Sequence, residues 1–517
     1  MAKFNEKSTP KNVTVNHMGE KAFIQKPEFQ LVSILLTSFM ENSYYETSNQ
    51  TIERMKDAIK KVDPKFAAKA AVYARNEFGM RSVSHVLAVE MLKYISGQPW
   101  GKNFFEAVVR RPDDMSEIIA YYFSKGNEKL PSAIKRGFAK AFGKFDKYQI
   151  AKYKGKAKEV SLVDVVNLVH PTPTEKNSVA LKELVEGTLK NDSTWESKLT
   201  KAGQDAKSED EKMELKANAW KDLFDTNKMP YMALLRNLRN ILEQAPELTD
   251  RACEMLVNRK MIENSLVLPF RFISAHAEIE KLKKEGLFEK DGENISKILK
   301  AIDDAAKTSV INLPVLQGKT IILSDNSGSM TGDSFGSSLA SRMSNIKTSD
   351  IANLFAVLYW MKADNTLVGL FGDHLIYPNL KRNAGVFENF KIIDKEKDKC
   401  GGATERGIFD MFEKLTKEKI KVDTIVVFSD CQIGDKCLWF DHSGNRGEEF
   451  NRLFEAYKSI NPDVRVYSVD LKGYGNNVFN ESVIKISGWS DKIFDIMKMM
   501  EQDKNALIQK INEYVDF

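Results

Sequence analysis

The spacing of apolar residues changes character near residue 312. Before that point, apolar residues recur every three or four positions, which is typical of amphipathic helices. Residues 65–79 and 81–95 are separated by a short connection, as in two antiparallel helices. Further helices are predicted at 104–111, 116–126, 131–145, 161–169, 231–242 and 293–307. Successive helical pairs without strand signals predict an α-solenoid of the HEAT type.

From Leu313 onward, apolar runs alternate with helical patterns. Strands are predicted at 319–324, 366–372, 423–430, 464–471 and 483–488. Helices are predicted at 350–362, 406–415, 448–458 and 491–500. Strands that are apolar throughout and separated by helices indicate a doubly wound parallel sheet, in which ligands bind beyond the carboxyl ends of the strands. The pattern therefore predicts an α+β multidomain protein with a helical part, residues 1–312, and an α/β part, residues 313–517.

Bulk properties narrow the class of protein. The chain has 517 residues, of which 42% are hydrophobic and 29% charged, as in a soluble globular protein of two or three domains. Apolar runs fall short of the roughly 20 residues that span a bilayer. The first residues, MAKFNEKSTPKNVTVNH, do not resemble a secretory signal. The four cysteines lack metal-binding spacing, so we expect free thiols in a reducing cytoplasm and no zinc.

The segment 319-KTIILSDNSGSM-330 ends a predicted strand in a cluster of oxygen-bearing side chains. It lacks the G-x-x-x-x-G-K-[ST] pattern of a phosphate loop. A polar turn and a metal site both remain as interpretations, because Asp, Asn, Ser and Gly all favour turns.

Two more loops favour the metal site. The predicted strand 424–430 also ends in an aspartate, and the loop 401-GGATERG-407 offers a threonine just before a helix. Hard oxygen donors of this kind suit Mg²⁺, which prefers octahedral oxygen coordination. If hydroxyls bind directly and carboxylates act through water, an acidic group from a partner could complete the coordination sphere. The candidate ligands are Asp325, Ser327, Ser329, Thr404 and Asp430.

These three loops resemble the metal-ion-dependent adhesion site of von Willebrand factor A domains, which has D-x-S-x-S, Thr and Asp on three strand-end loops. The resemblance implies that the two serines and Thr404 bind the ion directly, and that the two aspartates bind it directly or through water. Two features depart from the family pattern. Asn326 stands where many such domains have an apolar residue, and G-G-A-T is one residue longer than the commoner G-G-T.

The net charge is only +5, but its distribution is uneven. Residues 125–158 contain eleven Lys or Arg against two acidic residues, a local net charge of +9, which suggests a polyanion-binding surface. Basic residues alternate there with aromatic ones. The pattern also fits an amphipathic helix pair with a solvated lysine face and an aromatic core face. The two interpretations are compatible.

Several segments of the helical part are distinctive. They are L-P-S-A-I-K-R-G-F-A-K-A-F, F-D-K-Y-Q-I-A-K-Y, S-L-V-D-V-V-N-L-V-H-P-T-P and, at 75–85, R-N-E-F-G-M-R-S-V-S-H. Followed by an adhesion-type A domain, they resemble the TROVE module of the Ro autoantigen family. The resemblance implies a ring of HEAT-like helical repeats over residues 1–312. It also implies a Rossmann-like von Willebrand factor A domain over residues 313–517.

In that family a basic outer surface binds a small structured RNA called Y RNA, and a central hole takes the single-stranded ends of misfolded non-coding RNA. The resemblance therefore implies a role in RNA quality control, in bacteria together with an exoribonuclease. Arg75 and Arg81 are weaker candidates for the ring surface or hole, and could equally be structural. The positions that match the family's RNA-binding residues are Lys135, Arg136, Lys140, Lys144, Lys152, Lys154 and His170.

The sequence predicts no enzymatic activity, because His85, His170 and His276 lack a Cys, Ser or carboxylate partner at a telling spacing. The main alternative is a metal-dependent protein-adhesion or chaperone scaffold, in which the A domain carries the function and the basic band is incidental. A third interpretation is an accessory subunit of an ATPase, although the chain lacks a nucleotide loop.

Overall fold

The computed structural model describes residues 12–155, 159–191, 194–226, 229–285, 292–309, 318–334, 336–341, 344–434, 448–490 and 492–517. The chain divides into two compact units, which we call the sheet unit and the helical unit. The sheet unit comprises Met1–Lys61, Leu268–Phe270 and Val310–Gln509. The helical unit comprises Val62–Val267, Arg271–Ser309 and Lys510–Phe517.

The strands are numbered in chain order. They are β1 (Val13–Val15), β2 (Lys21–Ile24), β3 (Thr320–Asp325), β4 (Leu339–Ser341), β5 (Ser344–Lys347), β6 (Thr366–Phe371), β7 (Leu375–Ile376), β8 (Thr424–Ser429), β9 (Arg465–Asp470), β10 (Asn476–Asn477) and β11 (Ile484–Ser487).

The helices are numbered in the same way. The first thirteen are α1 (Pro27–Thr37), α2 (Ser48–Lys61), α3 (Pro64–Glu77), α4 (Ser82–Glu90), α5 (Leu92–Ile95), α6 (Gly101–Val108), α7 (Pro112–Ser124), α8 (Ser132–Ala141), α9 (Lys147–Tyr153), α10 (Leu162–Val169), α11 (Ser178–Val185), α12 (Trp195–Gln204) and α13 (Glu209–Asp225). The others are α14 (Tyr231–Arg236), α15 (Leu238–Gln244), α16 (Thr249–Leu256), α17 (Arg259–Ser265), α18 (Arg271–Glu285), α19 (Gly292–Thr308), α20 (Gly328–Thr331), α21 (Thr348–Lys362), α22 (Val386–Glu396), α23 (Arg406–Lys417), α24 (Glu449–Ile460), α25 (Lys492–Gln502) and α26 (Ala506–Tyr514).

The sheet unit is built on a mixed six-stranded sheet with the strand order β11-β9-β8-β3-β6-β7. β3 pairs in parallel with both β6 and β8, and every residue of β3 and β8 is buried. Strands buried on both faces read as continuous apolar runs, which is why the sequence predicts them well. The short edge strand β7 runs antiparallel to β6. The predicted parallel sheet is therefore confirmed, with one antiparallel strand added.

Helices cover the sheet and bury aromatic side chains against it. On α23 and α24, the Phe412 ring meets the rings of Phe450 and Phe454 edge-on at 5.9 and 5.5 Å. These rings belong to one buried cluster with Ile425 and Val427 of β8. Burial of each such side chain contributes about 1.5–3 kcal/mol. This core holds the carboxyl ends of the strands, and the loops that follow them, in fixed positions.

The N-terminal residues do not follow the predicted helical pattern. β1 and β2 form an antiparallel pair, and β2 also pairs with β10, with Ile24 opposite Asn476. The expectation of an almost wholly helical chain up to residue 310 is therefore wrong at 13–15 and 21–24. This pairing joins segments about 450 residues apart, so the first 61 residues belong to the sheet unit. The predicted boundary at 312–313 lies outside the described residues.

The helices of the helical unit agree more closely with those that the spacing of apolar residues predicts. The predicted pair at 65–79 and 81–95 appears as α3, followed by α4 and α5. α6 and α8 pack closely at Gly137, where an added Cβ would lie 2.5 Å from the Phe105 Cβ. The rings of Phe105 and Phe138 meet edge-on at 5.9 Å beside this point. The close packing fixes the orientation of α8, which carries the basic segment.

Two further expectations from the sequence concern membrane-spanning helices and free cysteine thiols. Over the part of the chain that the structure describes, the helices are too short or too polar to cross a bilayer. Cys253, Cys400 and Cys431 are free thiols, and Cys437 lies outside the described ranges.

Candidate functional site

Three loops at the carboxyl edge of the sheet carry the predicted metal ligands. Asp325 is the last residue of β3, and Asp430 directly follows β8. The backbone N–H of Gly328 donates to the carbonyl of Gly402 at 3.1 Å, which joins the loop after β3 to the G-G-A-T loop. The predicted clustering of these loops is therefore present in the structure.

Asp325 is fully buried and held at both carboxylate oxygens. Its Oδ1 accepts the backbone N–H of Ser327 at 2.9 Å, and its Oδ2 accepts the Ser429 hydroxyl at 2.7 Å. The hydroxyls of Ser327 and Ser329 lie 3.3 Å apart beside it. The two serines of the D-x-S-x-S motif thus share one polar pocket with Asp325.

Asp430 has one oxygen without a donor. Its Oδ1 accepts the backbone N–H of Gln432 at 3.0 Å, while its buried Oδ2 has no hydrogen-bond partner within the described residues. Burial raises the pKa of Asp430, and burial together with the charge of Asp430 raises the pKa of Asp325 to about 7. Buried carboxylates without donors are costly unless a cation neutralises them. The arrangement therefore suits a cation.

The Thr404 hydroxyl donates its hydrogen to Asp373 and to none of the predicted metal ligands. Its backbone N–H and its hydroxyl both donate to Asp373 Oδ1, at 2.6 and 2.9 Å. The hydroxyl oxygen also accepts the backbone N–H of Arg406 at 3.4 Å, and Thr404 as a metal ligand stays a prediction.

Glu405, the next residue, is the side chain that sequence reasoning missed. It is only 2% exposed, and its Oε2 accepts the backbone N–H of Gly434 at 3.1 Å. Burial, followed by the charges of Asp325 and Asp430, raises the pKa of Glu405 well above its ordinary value, and its side chain interacts with that of Ser327.

Tyr45 is a second residue that the sequence did not indicate. Its side chain interacts with the Ser329 hydroxyl, and burial, followed by the charges of Asp430 and Glu405, raises its pKa. Nothing local in the sequence around Tyr45 connects it with a motif almost 300 residues later.

The donor set suits a hard cation. It combines carboxylate and hydroxyl oxygens, the ligands that Mg²⁺ prefers. Among the residues that the structure describes, no three His, Cys, Asp or Glu side chains form a group that could hold a metal ion. Lys472 supplies one positive charge near Asp430, and burial lowers the pKa of this lysine to about 8.

Two of the predicted RNA-binding side chains, both on α8, face solvent without an ion pair among the described residues. On α8, Ile134 and Phe138 are buried, whereas Lys135 and Arg136 are exposed and make no ion pair with any described residue. Helical spacing thus separates a core face from a basic face, and both interpretations of the sequence apply to the same helix.

The other predicted lysines are engaged within the unit. Lys140 forms an ion pair with Glu106 at 2.6 Å, and Lys144 donates to the carbonyls of Glu106 and Val109 at the end of α6. Cations stabilise a helix carboxyl terminus in this way. Lys152 lies 3.9 Å from a Glu196 oxygen, and Lys154 donates to the carbonyl of Leu189. Their role in RNA binding stays a prediction, and in the structure each of them binds a carboxylate or a carbonyl group of the helical unit.

His170 is exposed at the end of α10. Its φ of 49° is left-handed, and its backbone N–H caps the helix by donating to the carbonyl of Val166 at 2.9 Å. α10 packs against α8, so His170 belongs to the same part of the helical unit as Lys135.

Arg75 and Arg81 belong to a buried ionic network. Arg75 is 4% exposed and binds Asp114 through Nε and Nη2, at 3.2 and 2.8 Å to the same oxygen. Arg81 Nε lies 2.9 Å from Asp114. Burial alone would raise the pKa of Asp114, but the His85 imidazole 3.3 Å away and the charges of Arg75 and Arg81 hold it well below its ordinary value. Of the two interpretations, the structural one therefore fits Arg75.

The sequence matches the family profile described as TROVE domain over residues 18–219 and 189–321. The two matches together cover more than half of the chain. The chain belongs to the TROVE family. Membership implies an RNA-binding protein that acts in a ribonucleoprotein.

Two curated relatives are similar to this chain over part of their length. The chain is similar to telomerase protein component 1 of Mus musculus, with 28% identity over 346 residues, 51% of this chain and 13% of that protein. It is also similar to telomerase protein component 1 of Rattus norvegicus, with 24% identity over 334 residues, 49% of this chain and 13% of that protein. The chain thus spans a small part of these relatives.

A solved structure has the same fold. The crystal structure of the Ro (Rsr) protein of Deinococcus radiodurans aligns with a TM-score of 0.55 and 14% identity, covering 95% of this chain and 100% of that one. At this identity the likeness concerns the fold. Together with the family match, it confirms the predicted Ro and TROVE relationship. The A domain and its metal remain predictions.

Proposed function

We propose that this protein binds a small structured non-coding RNA of the Y type and acts in RNA quality control. The contacts are made by Lys135 and Arg136 on α8, with His170 at the end of α10. The observation that carries the proposal is the TROVE match over residues 18–321, which includes the exposed, unpaired cations of α8.

Electrostatic attraction and shape recognition explain how such a surface works. Cationic side chains bind phosphates and release counterions, which makes the affinity depend on salt. A-form RNA is recognised mainly by shape, because its deep major groove excludes side chains. Lys135 and Arg136 form no ion pair with a carboxylate among the described residues, so both positive charges are available to bind phosphates. Lys144, which binds backbone carbonyls, adds positive potential around them.

The finer features of the proposal come from the resemblance to Ro proteins. The helical unit would be a ring of HEAT-like repeats whose hole takes single-stranded ends of misfolded RNA, in cooperation with an exoribonuclease in the cytoplasm. The sheet unit would be a von Willebrand factor A domain that holds Mg²⁺. Its ligands would come from Asp325, Ser327, Ser329, Thr404 and Asp430.

A second candidate is a metal-dependent adhesion or chaperone scaffold. The buried carboxylates of Asp325 and Asp430, with an oxygen that lacks a donor, favour it. This candidate predicts that chelation abolishes partner binding, whereas substitutions on α8 leave it unchanged.

Sequencing of RNA crosslinked to the protein in cells tests the main proposal. We expect enrichment of one or a few small structured RNAs, with loss of that enrichment in Lys135→Ala/Arg136→Ala. The matched control Lys221→Ala/Lys300→Ala removes two exposed charges elsewhere in the helical unit and should retain the enrichment. Crosslinked RNA without any enriched structured species would overturn the proposal.

A further inference from the structure

A cavity of the sheet unit lies between β2 and β11. β11 is an edge strand of the six-stranded sheet, with β9 as its neighbour. Residues 23–25 line the cavity on one side and residues 483–485 on the other, and its volume is about 140 Å³. Cavities of roughly 150 Å³ hold a benzene molecule. The space therefore fits one ring of a ligand.

Apolar and aromatic side chains form the inner part of this cavity. Val483 and Met500 are buried, and the rings of Phe23 and Phe29 are half-buried. Phenylalanine rings pack favourably against a flat ligand ring, either stacked or edge-on, and nucleic-acid bases are bound in this way. The inner part thus favours a planar ring.

Positive charge predominates around the same cavity. Lys26, Lys485 and Lys504 line it together with one carboxylate, that of Glu481, so three positive charges meet one negative charge. Lys26 and Lys504 are exposed and lie at the mouth, where the Lys504 ammonium donates to the backbone carbonyl of Glu481. None of the three lysines forms an ion pair with another described residue. The mouth is therefore suited to an anionic group.

Lys485 is the lysine that most requires a counter-charge. It lies in β11 opposite Ser468 of β9, and its side chain is half-buried. Its Nζ is 5.9 Å from the centroid of the Phe23 ring, and burial lowers its pKa to about 8. An ammonium group that is withdrawn from water without a carboxylate partner is unfavourable. An anion bound in the cavity would supply the partner.

Three side-chain amides add hydrogen-bonding capacity. Asn12, Gln25 and Asn505 line the cavity, and their side-chain amides make no hydrogen bond to other described residues. Each amide offers both a donor and an acceptor, which is the combination that reads the edge of a nucleic-acid base. A ring with polar edge atoms would use these groups, whereas a plain hydrocarbon ring would leave them without partners.

We propose that this cavity binds a nucleoside monophosphate, with the base against Phe23 and Phe29 and the phosphate on the three lysines. The same chemical group is presented by a free nucleotide and by the phosphorylated terminal nucleotide of an RNA. The site is separate from the RNA surface of α8, because the cavity belongs to the sheet unit and α8 to the helical unit. Its failure would leave the RNA proposal in place.

Calorimetry of the full chain with AMP, GMP, CMP and UMP tests the proposal. We expect at least one of them to bind, and Lys485→Met to weaken that binding by about ten-fold or more, since a charge-assisted hydrogen bond is lost. Methionine keeps an unbranched side chain and removes a half-buried charge, so the variant should be at least as stable as the wild type in urea. Lys498→Met, at an exposed position of α25, is the matched control and should bind like the wild type.

Further probes separate the ligand classes. The nucleoside without its phosphate, inorganic phosphate and benzoate should each bind more weakly than the nucleotide. The two sources are distinguished by a short single-stranded RNA with or without a terminal phosphate, used as a competitor of the nucleotide in the Lys135→Ala/Arg136→Ala background. Competition by the phosphorylated RNA alone identifies an RNA end as the ligand, and absence of competition by either RNA identifies a free nucleotide.

Three results would overturn the inference. They are the absence of binding of all four nucleotides at millimolar concentration, equal affinities of the wild type and Lys485→Met, and binding of benzoate or inorganic phosphate as tight as that of the nucleotide.

Discussion

Individual charged residues of this protein differ in role according to what surrounds them. Arg75 and Arg136 are both arginines in helices of the helical unit, but Arg75 is 4% exposed against Asp114 and Arg136 faces solvent. Sequence reasoning left the role of Arg75 open, because a helical arginine looks the same whether or not a buried aspartate meets it. It also missed Glu405, because the sequence does not show that this glutamate is buried.

Replacing Asp114 should be among the most damaging single changes in the helical unit. Asp114→Asn leaves Arg75 buried without a counter-charge, so the free energy of unfolding should fall by about 3–5 kcal/mol. Urea denaturation at neutral pH measures the loss. Asp205→Asn, at an exposed position, serves as the control and should change it by less than about 0.5 kcal/mol.

The same carboxylate gives a pH signature. The pKa of Asp114 in the folded protein lies below the unfolded value of 3.8, so its contribution is fully present above pH 3.8 and disappears as the pH falls through the folded pKa. The stability difference between the wild type and Asp114→Asn should therefore be constant at neutral pH and shrink in acid. A difference that grows in acid would contradict this account of the network.

His170 combines a backbone role with a proposed RNA contact, and asparagine separates the two. Asn accepts the left-handed conformation at a helix end, so His170→Asn should leave the free energy of unfolding within about 0.5 kcal/mol. RNA affinity should fall several-fold, because the imidazole is lost. Filter binding and denaturation of the same variant measure both quantities. Unchanged affinity would remove His170 from the proposed surface.

Among the secondary-structure elements, the local sequence pattern predicted those helices that bury an apolar stripe and those strands that bury apolar faces. The helical unit and the parallel strands are of this kind, since periods of 3.6 and continuous apolar runs follow directly from which faces are buried. β1, β2 and β10 are too short to show a period, and their pairing depends on contact between distant segments. Tyr45 could not be predicted for the same reason, because its contacts, such as the one with Tyr474, also join distant segments.

The packing of α6 on α8 makes a testable prediction about an element. Gly137→Ala would place its Cβ 2.5 Å from Phe105 Cβ and 2.6 Å from the carbonyl oxygen of Lys102, so it should destabilise the unit by about 1–3 kcal/mol. Helix propensity alone predicts a gain of about 1 kcal/mol. Gly143→Ala is the matched control, because its nearest neighbour would be 4.0 Å away. Stabilisation by Gly137→Ala would contradict the close packing of these helices.

For the whole molecule, the sequence sufficed for the family and the general class of fold. The order of motifs predicted a Ro-type protein, and the TROVE match confirms it. The division into units was harder to predict, because the first 61 residues join the sheet unit from the opposite end of the sequence. The six predicted lysine and arginine positions also look alike in sequence, yet only Lys135 and Arg136 are without an engaged partner among the described residues.

The salt dependence of RNA binding tests the central claim most directly. The wild type, Lys135→Ala/Arg136→Ala and the control Lys221→Ala/Lys300→Ala should be titrated with the RNA recovered by crosslinking over a range of salt concentrations. If both α8 side chains bind phosphates, the double variant should lose affinity and its log–log slope should be shallower by about 1.5 units, while the control keeps the wild-type slope. Identical slopes for the wild type and the α8 variant would contradict the proposed RNA surface.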